Sequence, residues 1–194
     1  MSRIVQGVYW LALGVWAGAI VMVGITAATA FRTAPTLDRS VSAAPDSDPA
    51  FADDAGVIVA GQIMMRVFSH LSTVQLICAI AAVVCMALQS TVCAGRLLRR
   101  APVLNMLRMA LVLVPTAFVL LDRYWLSRAM RAAYATMYDL SLDAAARLAA
   151  SETFDFYHIV SERMLQGSLF MLIAAVLISP FVLRTGGAAP QTQT

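Results

Sequence analysis

His70 and His158 are the only histidines in this chain of 194 residues. Imidazoles projecting from two helices of a bundle are a common protein contribution to a haem b or a buried metal site. Met64 and Met65, close to His70 in sequence, add thioether sulfur that suits a soft ion such as Cu(I). Asp155, His158 and Glu162 stand at i, i+3 and i+7. On a helix they form a carboxylate–imidazole–carboxylate row, able to hold a divalent metal or to tune the imidazole upward. Each pattern also has a structural reading. A histidine at a membrane interface often bonds a carbonyl or carboxylate, and a charged row at the wet end of a helix is more often a solvated, salt-bridged face. No cofactor is therefore expected, with haem b or copper on His70 and His158 as the alternative.

Arg108 is the one charge inside an otherwise apolar run. Arginine at mid-bilayer costs roughly 2.5–3.5 kcal/mol on insertion scales, which makes such a residue a functional candidate by default. It stands about two helical turns from the end of its run, near Arg99 and Arg100, so snorkelling towards lipid phosphates accounts for it without a substrate. Asn105 shares its face. A transport role needs a polar path, and the apolar runs offer Gln75, Gln89, Asn105 and Gln166 to line one. Cys78, Cys85 and Cys93 all lie in one apolar run; their spacing fits neither a zinc site nor a disulfide framework, and they read as small packing residues. No phosphate-binding glycine loop, Gly-x-Ser-x-Gly or His-Glu-x-x-His occurs, so nothing supports nucleotide or hydrolytic chemistry, and an enzyme is not the expected reading.

The elements that must position these residues are membrane spans. The chain is 60% hydrophobic and 13% charged, with a mean hydropathy of +0.77, where a soluble domain carries about 25% charged residues. Its net charge of +3 comes from arginine alone, scattered at the ends of apolar runs with no basic stripe, so nucleic acid is not an expected partner. A span needs roughly 20 apolar residues. Residues 8–31, 71–93, 103–121 and 164–183 meet that need, leaving 32–70 and 122–163 as longer polar segments and 185–194 as a disordered tail of a single domain, 1–184.

Ala28-Thr29-Ala30 fits a signal-cleavage pattern, but the apolar region before it is longer than the 7–15 residues of a signal core, so the first helix is expected to be retained. Gly14 and Gly18 give it a small-xxx-small face for close helix contact. Arg32–Ala55, with Pro35, Pro45 and Pro49, reads as a loop, and Asp53 or Asp54 as the cap of a helix over Gly56–Cys93. Ala94–Ala101 reads as a second loop. Pro102 opens the third helix, Pro115 kinks it, and the helical pattern continues to about Tyr138. Ser141–Ala150 reads as a short separate helix with an Asp143–Arg147 pair. In Ser151–Leu183 a mixed-charge half leads into a charge-free half. Arginine bias places both termini and the Arg96–Arg100 loop in the cytoplasm and the two longer segments outside.

Three stretches carry a family likeness: GVWAGAIVMVGITAATAFRTAP, AGQIMMRVFSHLSTVQLICAIAA and FDFYHIVSERMLQGSLFMLI. Through Phe31, Arg32, Pro35, Gly61, Phe68, His158 and Ser161 the chain resembles the transmembrane protein 205-like proteins (domain of unknown function 4149). It departs from them at Leu165, where they often carry asparagine, and in lacking a proline after the third span. The resemblance implies a four-span fold and a membrane location, and no reaction. The expected architecture is all-α, a four-transmembrane-helix bundle with helices 2, 3 and 4 extended into an external crown. The expected role is structural or accessory in the cytoplasmic membrane of a bacterium, among membrane lipids and other membrane-protein subunits.

Overall fold

A computed structural model describes residues 2–41, 55–100, 102–139 and 141–184. They form five α-helices: α1 (Ser2–Val41), α2 (Ala55–Arg100), α3 (Pro102–Leu121), α4 (Ser127–Met137) and α5 (Ala144–Arg184). A π turn, Asp122–Leu126, joins α3 to α4, and no strand occurs among the described residues. Arg3–Ala30, Ala60–Thr91, Val103–Met137 and Ala144–Phe181 are each long and apolar enough to cross a membrane. The all-α, four-span architecture expected from hydropathy is present.

The chain divides into two compact units, Met1–Ala17 with Leu76–Thr194, and Gly18–Gln75. The first draws on all four long apolar stretches. Its interior is built from stripes at helical spacing: Tyr9, Leu13 and Trp16 on α1; Cys78, Ala82 and Cys85 on α2; Arg108, Val112, Pro115 and Val119 on α3; Ser168, Leu172, Ala175 and Ser179 on α5. Many of these buried residues are small or polar. The outside carries the large apolar ones, with Leu11, Met106, Phe170 and Phe181 each about two-thirds exposed. Apolar surface on that scale suits a hydrocarbon solvent, where helices associate through small and polar residues and turn their large apolar side chains outward. α5 packs along both α3 and α4. The second unit buries Ile20 and Val23 of α1 with Ala60, Met64, Leu71, Ser72 and Gln75 of α2.

Prolines inside the spans have hydroxyl neighbours that bond back to the helix. Thr116 Oγ1 donates to the Val112 carbonyl (2.8 Å) beside Pro115, and Ser179 Oγ to the Ala175 carbonyl (2.6 Å) beside Pro180. Each proline withholds one N–H from the helix, which leaves the carbonyl four residues earlier, that of Leu111 or Val176, without its helical donor; the two hydroxyl bonds fall on the neighbouring carbonyls, Val112 and Ala175.

Helix boundaries differ from the sequence reading at three places. α1 continues past Phe31 through Pro35 to Val41, because one missing N–H does not end a helix; Thr33 Oγ1 meets the Thr29 and Ala30 carbonyls just before it, at 3.1 and 3.0 Å. The remainder of that loop, with Asp53 and Asp54, lies outside the described residues, as does the tail from residue 185. α2 runs on to Arg100, so most of the expected second loop is helical; leucine and arginine are good helix formers, and basic residues suit a helix C-terminus. Ser141–Ala150 is not a separate helix. α5 starts at Ala144 and runs unbroken into the last span, since nothing between Ala144 and Ser151 interrupts it. Asp143 caps that start: its Oδ1 accepts the Ala146 N–H at 2.6 Å, while Arg147 Nε has no hydrogen-bond partner among the described residues.

Candidate functional site

The most unusual chemistry lies around Arg108. It occupies the buried stripe of α3, repeated at Val112, Pro115 and Val119, and is only 2% exposed. The snorkelling expected from sequence does not occur, because the stripe turns the side chain inward. Its Nη2 donates to Gln89 Oε1 on α2, and its guanidinium carbon sits over the Tyr9 ring on α1, 4.7 Å from the centre. Tyr9 in turn meets Ser179 of α5, hydroxyl to hydroxyl at 3.4 Å. Since Ser179 donates to the Ala175 carbonyl, the Tyr9 hydroxyl is the donor in that pair. One arginine and its neighbours thus join all four spans.

The arrangement is rich in donors. Arg108 Nε and Nη1 and Gln89 Nε2 are buried with no acceptor among the described residues. A hydrogen bond to a charged group contributes about 1.5–3 kcal/mol. A cation over an aromatic face adds about 0.5–2 kcal/mol. Each unsatisfied buried N–H costs about 1–3 kcal/mol. The contacts that exist therefore offset only part of the cost, and the positive charge faces neutral partners. Asn105, expected on the same face, turns its amide towards Met109 Sδ (4.0 Å) instead, and Gln166 bonds Glu162 Oε1 (3.0 Å). Of the polar residues considered for a path, Gln89 is the one that reaches Arg108.

A second polar centre lies at the π turn. The Ser127 backbone N–H reaches back five residues to the Asp122 carbonyl, which stacks Ser127 beside Asp122. Ser127 Oγ then donates to Asp122 Oδ2 and Ser161 Oγ of α5 to Asp122 Oδ1, both at 3.3 Å. Ser161, one of the residues carrying the family likeness, thus has a partner that sequence reasoning did not single out. The pairing depends on the extra residue of the π turn, which no motif in the sequence announces.

The histidines are less engaged. His158 is exposed and stacks on Phe154 of its own helix, ring centres 5.9 Å apart. It continues an aromatic seam in which Phe154 meets Tyr134 (5.8 Å) and Tyr157 meets Trp125 (5.6 Å). Asp155, His158 and Glu162 all lie on the exposed side of α5. His70 belongs to the unit Gly18–Gln75 and is exposed there, with Met64 buried and Met65 half-buried. Among the described residues no group of three or more His, Cys, Asp or Glu gathers to hold a metal ion. Cys78 and Cys85 are buried free thiols; the side chain of Cys93 lies outside the described residues. Gly14 and Gly18 are exposed on α1.

Fold and site together define a multi-pass helical membrane protein whose interior holds an arginine. No family model, curated protein or solved structure matches the chain.

Proposed function

We propose that this protein is a non-enzymatic accessory component of the cytoplasmic membrane that packs α1 against a helix of another membrane-protein subunit. The observation that carries this reading is the open glycine face of α1. A Cβ placed on Gly7, Gly14 or Gly18 meets nothing within 4 Å, and the three glycines share one side of the helix. In hydrocarbon no hydrophobic force draws helices together, and association depends on close backbone approach at small residues. An unpartnered glycine face is the feature that such approach requires. The arginine bias supports an orientation with both termini in the cytoplasm, and with α2 up to residue 70, α4, and α5 up to residue 163 in an external crown. The likeness to the transmembrane protein 205-like proteins rests on the three sequence stretches and implies a four-span fold and a membrane location, and no reaction.

The test is purification from native membranes in mild detergent, with an absorption spectrum and identification of companions. The wild-type protein should be colourless and should bring defined membrane subunits with it. Replacing both Gly14 and Gly18 by leucine should not lower the thermal transition and should lose those companions. A wild-type protein that purifies alone overturns the reading. A haem Soret band or bound copper, lost in His70→Ala or His158→Ala, would replace it with the redox alternative.

A further inference from the structure

We infer that Arg108 and Gln89 form a receptor for a phosphate group, entering between the spans from the end of α3 that begins at Pro102. This inference is independent of the docking role of α1. Arg108 is enclosed by the first unit, yet among the described residues the groups it meets are neutral: an amide oxygen and an aromatic face. The next charge along α3 and its continuation is Asp122, fourteen residues on, about 21 Å away along the helix axis. It is engaged by two serines there. Nothing described supplies the counter-charge.

The unpartnered groups select the ligand. Arg108 Nε and Nη1 and Gln89 Nε2 are all donors, so the missing partner is an acceptor, and the fixed guanidinium charge makes it an anion. The planar fork of arginine matches the oxygens of an oxyanion, which it binds through paired N–H groups. Position favours phosphate over other oxyanions. Arg108 stands six residues into α3, about 9 Å along the helix axis from its first residue. The same end of the chain's helices carries Arg96, Arg99 and Arg100 with no acidic residue from Ala94 to Leu121. Basic sites between spans are where phospholipid headgroups bind. Arg108 is closed off as it stands, so the group enters as α3 and its neighbours part at that end, and binding is slow as well as specific.

The experiment uses the full chain, delipidated in detergent, and native mass spectrometry with three lipids: phosphatidylglycerol, phosphatidylcholine and phosphate-free diacylglycerol. Inorganic phosphate is added as a competitor. The wild-type protein should bind phosphatidylglycerol at least tenfold more tightly than diacylglycerol, with phosphatidylcholine between them. Arg108→Gln should bring phosphatidylglycerol down to the diacylglycerol level. Arg108→Lys, which keeps the charge without the fork, and Gln89→Leu should each weaken binding by a smaller factor, and these two carry the test if Arg108→Gln does not fold. Displacement of lipid by millimolar inorganic phosphate assigns the site to free phosphate; tight lipid binding without displacement assigns it to the headgroup, and both uphold the inference. Equal affinity for phosphatidylglycerol and diacylglycerol, or phosphatidylglycerol binding unchanged in the Arg108 and Gln89 variants, overturns it.

Discussion

Tyr9 and Ser179, 170 positions apart in the chain, meet through their hydroxyls at 3.4 Å and tie the first span to the last. The same tyrosine presents its ring to the Arg108 guanidinium, 4.7 Å from the ring centre. The two contacts separate by mutation. Tyr9→Phe keeps the ring and loses one neutral hydrogen bond, a change of about 0.5–1.5 kcal/mol. Tyr9→Leu also removes the aromatic face and should cost about 0.5–2 kcal/mol more. Thermal unfolding of both variants in one detergent measures the difference, and equal losses would mean that the ring face contributes nothing to holding Arg108.

The Asp122 carboxylate accepts from Ser127 and Ser161 at the π turn. Asp122→Asn retains an oxygen for Ser161 and gains an N–H that Ser127 Oγ can accept, so it should be milder than Asp122→Ala. Ser161→Ala removes the bond between α5 and the π turn and should destabilise by about 1.5–3 kcal/mol, as expected for a hydrogen bond to a charged group. A double-mutant cycle of Asp122→Ala with Ser161→Ala reads the coupling directly. Additive losses would show that the two residues do not act as a pair.

Gly14 sits mid-helix with open space where a Cβ would go. Gly14→Ala should therefore stabilise the isolated protein by about 0.5–1 kcal/mol, through helix propensity alone. A lower melting temperature for this variant in detergent would mean that something already packs on that face.

The α4–α5 turn lies between the apolar stretches. Asp139 Oδ1 accepts the Ser141 hydroxyl at 2.6 Å and the Ser141 backbone N–H at 2.9 Å. These bonds, the hydroxyl first, hold its carboxyl below the usual aspartate value of 3.8. A depressed carboxylate favours the ordered turn above its unfolded pKa and gives up that contribution as pH falls through the folded value. The Ser141 amide resonance should shift with a midpoint below 3.8, and Asp139→Asn should abolish the titration. A midpoint at or above 3.8 would count against this geometry.

The long apolar runs, the location of the charges and the glycines of α1 were legible in the sequence, because a bilayer demands about twenty apolar residues per span and rewards small residues where helices touch. Arg108 stood out for the same reason, as the single charge in such a run. What it faces was not legible. Whether a long side chain snorkels or turns inward depends on where its helix is rotated in the bundle, and Tyr9 and Gln89 reach it from helices remote in sequence or on the far side of a turn. Helix ends were equally ambiguous, since proline at Pro35 costs one hydrogen bond that neighbouring turns can bear, while at Ala144 the start is set by the Asp143 cap. The π turn was invisible because its register shift shows only when Asp122, Ser127 and Ser161 are placed in space. Sequence by itself determined an all-α membrane protein with four spans and one intramembrane cation. Tertiary structure alone decided that this cation is enclosed among neutral partners, because side-chain contact across helices is a property of packing and not of spacing.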